Sequence, residues 1–178
     1  MVPEAPLEQS EGGLVPKGEG WFVVNAKEAR WFDSEAFGSG TVFEGEPAFT
    51  QLGININILE PGQPMCLYHR ENQQEDFLVL QGEGVLVIEG EERPLKAWDF
   101  VHCPPGTDHV LVGGGDGPCA ILAVGFRGKN EEIVYPVSEA AARYGASAET
   151  ETPDPKEAYA RFARPVEAKY HGRLDGGS

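Results

Sequence analysis

The chain is short of basic side chains: 14 lysines and arginines stand against 29 aspartates and glutamates, a formal charge of −15 over 178 residues. Phosphate neutralisation by Lys and Arg is the main source of nucleic-acid affinity, so this deficit argues against a nucleic-acid partner and equally against an anionic membrane surface. No stretch approaches the roughly eighteen continuous apolar residues that a membrane-spanning helix requires. Residues 1–20 lack a basic start followed by an apolar segment, so no secretory signal is read there. Cysteine is scarce as well. Cys66, Cys103 and Cys119 are odd in number and sit at no zinc-ribbon spacing, which fits a reducing cytoplasm where each is a small hydrophobe. With these classes set aside, an ordinary apolar fraction of 40% describes a soluble globular protein of one domain with tails.

What the chain does have is concentrated between Pro61 and Gly82, where His69, Glu71 and Glu75 precede an apolar run, Phe77 to Leu80, that reads as a buried strand. Side chains two apart on a strand share a face, so His69 and Glu71 can aim at one point. Glu75 follows the polar turn Asn72-Gln73-Gln74 and can return toward that point on the neighbouring strand. A second block, Trp98 to Val110, adds His109 just after the turn Pro104-Pro105-Gly106. His69, Glu71, Glu75 and His109 make a mixed nitrogen and oxygen set that suits a divalent transition ion, Fe, Mn, Ni or Zn, better than a thiolate site would. A structural zinc is disfavoured, because such sites favour cysteine and none stands at ligand spacing here.

At these residues the sequence resembles the cupin superfamily, in its small single-domain form. Glu75, the residues after it and Gly82 match the end of the first cupin motif, and Pro104-Pro105-Gly106-Thr107-Asp108-His109 matches the end of the second. The resemblance covers roughly Leu52 to Phe126 and implies an all-β fold, a double-stranded β-helix barrel whose metal is held by the motif His and Glu residues. It departs from the pattern at two places. The second imidazole of the usual His-x-His is Glu71 here, and the glycine that usually opens the second motif is Trp98. An alternative count would put the two His positions on Tyr68 and Arg70; keeping His69, Glu75 and Gly82 in place favours the first. The family also implies a homodimer, paired through edge strands and terminal segments.

Around that centre the organisation follows composition. Residues 1–20, rich in Glu, Gly and Pro, read as a flexible tail or one draped over a partner; 21–136 as the barrel with an N-terminal strand extension and a core at 52–126; and 137–178 as a helical extension and loose tail. Trp21 to Asn25 is a strand candidate, and Ala26 to Phe32 a helical turn or loop. Leu52 to Leu59 alternates isoleucine with Asn55 and Asn57: either the isoleucines face the core and the asparagines water, or an asparagine turns into a pocket toward a ligand. Gly84–Glu89 and Glu92–Leu95 flank Gly90 as a hairpin, with Pro94 marking an edge or bulge. Helices are expected from the Ser138 cap to Tyr144, before Gly145, and from Asp154-Pro155 to Phe162, both packed outside the barrel. His171 in the loose end is assigned no role.

Two functional classes are open at this stage. One is a metal-dependent enzyme of dioxygenase, isomerase or lyase type acting on a small organic molecule inside the barrel. Trp98, Phe100 and Phe77 would then be pocket walls, and Glu71 or His102 the proton carrier. Glu71 can instead ligate the ion or accept a hydrogen bond from a ligand imidazole. His102 is equally readable as an exposed or satisfied imidazole, depending on strand register. Cys66 and Tyr68 alternate with His69 and by parity belong on the opposite face. The other class is a non-catalytic barrel that binds a metabolite or a metal as an accessory or sensing subunit. A metal position open to a cavity large enough for a substrate separates the first class from the second.

Overall fold

A computed structural model describes residues 1–171; of the loose end expected from Lys169 onward, 172–178 lie outside the described residues, while His171 has its Nε2 2.8 Å from Asp33 Oδ2. Short apolar runs between Gly and Pro turns fold as β1 (Leu7–Gln9), β2 (Leu14–Pro16), β3 (Arg30–Ser34), β4 (Gly38–Val42), β5 (Leu52–Leu59), β6 (Arg70–Glu71) and β7 (Glu75–Gln81). They continue as β8 (Glu83–Ile88), β9 (Glu91–Lys96), β10 (Phe100–Cys103), β11 (His109–Gly113), β12 (Cys119–Phe126), β13 (Ile133–Val134) and, near the C-terminus, β14 (Val166–Ala168). Helix is confined to α1 (Glu139–Ala142) and α2 (Pro155–Ala158) among the described residues, and neither is long and apolar enough to cross a membrane.

A seven-stranded sheet of order β10-β7-β12-β5-β4-β3-β14 packs across a three-stranded sheet of order β11-β8-β9. Between them lies one apolar cluster: Leu59 from β5, Phe77 and Val79 from β7, Cys119 and Ile121 from β12, Val101 and Cys103 from β10, closed by Leu86 from β8 and Leu111 from β11. This is the double-stranded β-helix expected from the motifs. Because strand side chains alternate, these core positions fix what else points inward. Two residues before Phe77 is Glu75, two before Leu111 is His109, and two and four before Leu59 are Asn57 and Asn55. The polar cavity and the apolar core are thus consecutive layers of one barrel.

Gly82, which closes the first motif, joins β7 to β8 at φ +79°; a Cβ there would stand 2.5 Å from the Pro118 carbonyl oxygen, so both the turn and the close backbone approach require glycine. The β8–β9 hairpin turns at Glu89-Gly90, and Pro94 sits in β9, the edge of its sheet, where a missing N–H does least harm. On the outer face of β11 and β8, Val110, Val112 and Val87 are covered by Ala140, Ala141 and Ala146 at the Ser138-capped α1. Asp154 caps α2, which stops at Ala158 rather than Phe162. Tyr159 and Phe162 turn in against Phe37 instead, with ring centroids 5.4 and 4.8 Å from it.

Two expectations change at the N-terminal side, and one open alternative is decided. Residues read as a flexible tail form the β1–β2 hairpin, with Ala5 and Val15 buried and further bridges from Leu14 to Ala29 and Lys17 to Glu46. Trp21–Asn25 is irregular apart from one bridge at Trp21, and the strand begins later, at Arg30. In β5 the asparagines, not the isoleucines, face the interior: Ile58 is buried on the outer side of the sheet.

Candidate metal centre

His69 lies just before β6 and is bridged to His109, the first residue of β11, by two backbone hydrogen bonds: His69 N–H to the His109 carbonyl at 3.1 Å and His109 N–H to the His69 carbonyl at 2.8 Å. That bridge holds the imidazoles side by side, ring centroids 4.9 Å apart. Glu75 opens β7, and its Oε2 stands 3.4 Å from His69 Nε2 and 3.3 Å from His109 Nε2. One donor atom from each of the three lies within 4.8 Å of the others. The turn through Gly106, at φ +86°, is fastened to this group by a 2.7 Å hydrogen bond from the Gly106 N–H to the Glu71 carbonyl.

The far sides of both rings fix their tautomers. His69 Nδ1 is 2.8 Å from the Leu67 carbonyl and His109 Nδ1 3.0 Å from the Thr107 carbonyl. A carbonyl only accepts, so each Nδ1 carries the proton and donates it, leaving Nε2 to face the centre; ligating histidines are held in this way. His109 is 1% exposed and its Nε2 has no hydrogen-bond partner. A buried lone pair without a partner is costly, and here it points at a carboxylate and a second imidazole. The donor set therefore fits a divalent transition ion.

The electrostatics agree. Burial and the neighbouring His69 hold His109 below the usual imidazole pKa, so it is neutral and able to ligate. Burial pushes Glu75 upward, but the hydrogen bond and charge of His69, with His109, outweigh it and keep the carboxyl below its ordinary value. Burial also opposes the His69 cation, yet Cys66 and Glu75 hold that pKa above the usual range.

Of the four sequence-predicted ligands, three meet. Glu71 Oε1 is 4.0 Å from His69 Nε2 and lines the same cavity, but it stands outside the group of mutually close donors. Its pKa is raised, by burial and then by the negative charge of Glu75. His102 is placed elsewhere. Val101 and Cys103 take the inward positions of β10, so His102 faces out, exposed, with Nδ1 2.7 Å from Asp76 Oδ1. The same register exposes Phe100, and Trp98 at the preceding turn is 77% exposed, so neither is a pocket wall. Trp98 adopts φ +75°, a conformation natural to the glycine usually found there. Cys66 also departs from the parity expectation: the chain before His69 is irregular rather than a strand, so Cys66 lines the cavity with Sγ 3.6 Å from His69 Nδ1, while Tyr68 packs outside against Val87.

His69 and Glu75 line a cavity of about 340 Å³, with His109 buried behind them, and its polar lining includes Asn55, Asn57, Glu71 and Tyr135. Phe77 lines the cavity as expected, and Tyr135, Tyr159 and Phe126 complete the aromatic wall in place of Trp98 and Phe100. Both phenols have raised pKa values, chiefly through burial, and so stay protonated. Arg127 lies at the rim with its charge engaged, its guanidinium bonded to both carboxylate oxygens of Glu44 at 2.6 and 2.7 Å and to the Phe49 carbonyl. Tyr135, Tyr159 and Arg127 lie outside the motifs; Tyr135 directly follows β13, and only Tyr159 comes from the C-terminal extension.

Residues 55–125 match the family model described as "Cupin domain". A curated relative, the oxalate-binding protein of Thermotoga maritima, is 33% identical over 66 residues, 37% of this chain and 54% of the relative. The chain spans about half the length of the curated relatives it matches. Among solved structures, a sugar phosphate isomerase from the cupin superfamily of Silicibacter pomeroyi is 26% identical with a TM-score of 0.55, covering 62% of this chain and 79% of that one. A predicted oxalate decarboxylase of Thermotoga maritima is 25% identical with a TM-score of 0.52, covering 59% and 98%.

Proposed function

The chain carries a cupin domain, and from that premise we propose that His69, Glu75 and His109 hold a divalent transition ion and that the protein is an isomerase-type enzyme for a small hydroxylated carbonyl compound. The observation that carries this reading is one open cavity lined both by His69 and Glu75 of the three-donor cluster and by a separate carboxyl, Glu71. An ion held there supplies Lewis acidity toward a substrate oxygen. Three protein ligands leave positions free, as catalytic sites require and closed structural sites do not.

The remaining chemistry belongs to the chain's own groups. Glu71, its pKa raised by burial and by Glu75, takes a proton from the carbon beside the substrate carbonyl and returns it to the carbonyl carbon, while the hydroxyl proton of the first carbon passes to the former carbonyl oxygen; no oxidant is consumed. Tyr135, kept protonated, donates a hydrogen bond to a substrate oxygen, and the amides of Asn55 and Asn57 orient hydroxyl groups. The likeness to a solved sugar phosphate isomerase supports this reading. Capture of oxalate without turnover is the alternative, supported by the oxalate-binding relative. The reading places the protein in a reducing cytoplasm, supported by three free thiols. It pairs two copies through an exposed sheet edge, supported by the 64% exposure of Phe100 on the outermost strand β10.

The test is exchange of solvent deuterium into the carbon next to the carbonyl of candidate aldoses and ketoses, followed by NMR. Metal-loaded wild type should exchange. Glu71→Gln should keep its metal and lose about 10²-fold or more of the rate, the usual contribution of a general base. Metal-loaded wild type that binds oxalate and exchanges no sugar proton would favour capture, and undiminished exchange in Glu71→Gln would remove that residue from the reaction.

A further inference from the structure

The cavity above the three donors is one of two adjoining lobes. Asn55, Asn57 and Met65 line it on one side and line a second cavity, of about 500 Å³, on the other. Together the lobes exceed the space a two-carbon dianion needs and fall in the range of pockets for larger organic molecules. The second lobe owes its space to strand β4, where Gly38 and Gly40 carry no side chain; a Cβ on Gly40 would already stand 3.1 Å from Asn57 Oδ1.

The two lobes differ in charge. Glu71, Glu75 and Glu131 line the metal-side lobe, and its one arginine, Arg127, is engaged by Glu44. Among the described residues no carboxylate lines the second lobe, and its one charged residue is Arg164. Arg164 is also exceptional among the described arginines. Arg30, Arg70, Arg93, Arg127, Arg143 and Arg161 are each paired with a carboxylate, as expected where acids outnumber bases 29 to 14. Arg164 has no ion pair or hydrogen bond among the described residues. Between the lobes, Asn57 Nδ2 donates to Asn55 Oδ1 at 2.6 Å, which leaves the Asn55 N–H groups and the Asn57 carbonyl oxygen for ligand hydroxyls.

Resting on the isomerase-type reading above, we infer that the second lobe is a subsite for the anionic end of the substrate, a terminal phosphate or carboxylate received by Arg164. The carbonyl end then lies at the metal side and the hydroxylated middle passes Asn55 and Asn57. Carboxylates repel an anion from the first lobe, whereas the guanidinium fork of Arg164 matches either oxyanion. Because Arg164 is exposed, its contact is screened, and a discrimination of about tenfold rather than thousands is expected.

Glucose, glucuronate and glucose 6-phosphate share one ring and differ at the sixth carbon, which makes them suitable probes for calorimetric titration of the metal-loaded protein. Wild type should bind one or both anions about tenfold more tightly than glucose, the tighter of the two assigning phosphate or carboxylate. Arg164→Ala should erase the preference, Arg164→Glu reverse it and Arg164→Lys keep most of it, with metal content unchanged in all three. Equal binding of the three probes by wild type, binding of none, or a preference that survives in Arg164→Ala would each overturn the subsite. Metal present without anion preference refutes the subsite alone. Anion preference in a protein that takes up no metal refutes the metal centre and leaves the subsite standing.

Discussion

Glu75→Gln is the substitution whose effect separates a metal ligand from a structural carboxylate. Glu75 Oε2 lies within 3.4 Å of His69 Nε2 and 3.3 Å of His109 Nε2, so the carboxylate is the one anionic donor in the cluster. Glutamine preserves its volume and one acceptor oxygen while removing the charge. In chelated protein the exchange should therefore alter stability by only about 1–3 kcal/mol, the cost of weakening one charged hydrogen bond to His69. The larger effect appears with metal. A ligand at about a thousand times its dissociation constant stabilises the native state by about 4 kcal/mol, and for a chain of this length each kcal/mol moves the midpoint by about 2–4 °C. Wild type should gain roughly 8–16 °C between chelator and saturating metal, and Glu75→Gln should gain almost none. Thermal denaturation by circular dichroism, with and without chelator, reads both numbers. An equal metal-dependent gain in the two proteins would refute the assignment of Glu75 as a ligand.

Two further outcomes follow from packing and charge. Phe77 is 2% exposed in the inter-sheet core, its ring centroid 5.3 Å from that of His109, so Phe77→Ala should cost about 3–5 kcal/mol in urea denaturation; a cost below about 1 kcal/mol would mean the wall collapses into the space. Glu44 is held below 4.5, first by its hydrogen bond to Arg127 and against the effect of burial. A depressed carboxylate pKa contributes stability that is present above the unfolded value and lost as pH falls through the folded one, so urea midpoints should drop below about pH 4.5. Arg127→Met should flatten that drop, and an unchanged slope would locate the acid sensitivity elsewhere.

The barrel and the centre of its site were legible in sequence because both are encoded locally. Glu75 and Gly82 delimit one strand, while Pro104 to His109 encode a turn and the start of another, so their spacing survives folding. The rest depended on register or on distant segments. Period-two alternation in Leu52–Leu59 says that the two faces differ without saying which is inside; the barrel interior selected Asn55 and Asn57 because the polar cavity lies beside the apolar core. Cys66 escaped parity because the chain before His69 is not a regular strand. The same limit applied to His102, whose orientation follows from the inward packing of Val101 and Cys103. Tyr135 comes to the cavities from just after β13, and Tyr159 and Arg164 from the C-terminal extension, and no local pattern connects them to His69. The β1–β2 hairpin was hidden by composition: few apolar residues sufficed because Ala5 and Val15 dock on existing structure rather than forming a core of their own.

The central claim is that His69, Glu75 and His109 hold a transition ion. Its most direct test is elemental analysis of wild type and His109→Ala, each purified without a metal-chelating tag and then reconstituted in turn with Fe, Mn, Ni and Zn. His109 supplies the buried Nε2 that has no other partner, so the account predicts near-stoichiometric metal in wild type and its loss in the variant. A wild type that retains no metal from any of the four ions, or a variant that retains as much as wild type, would contradict it.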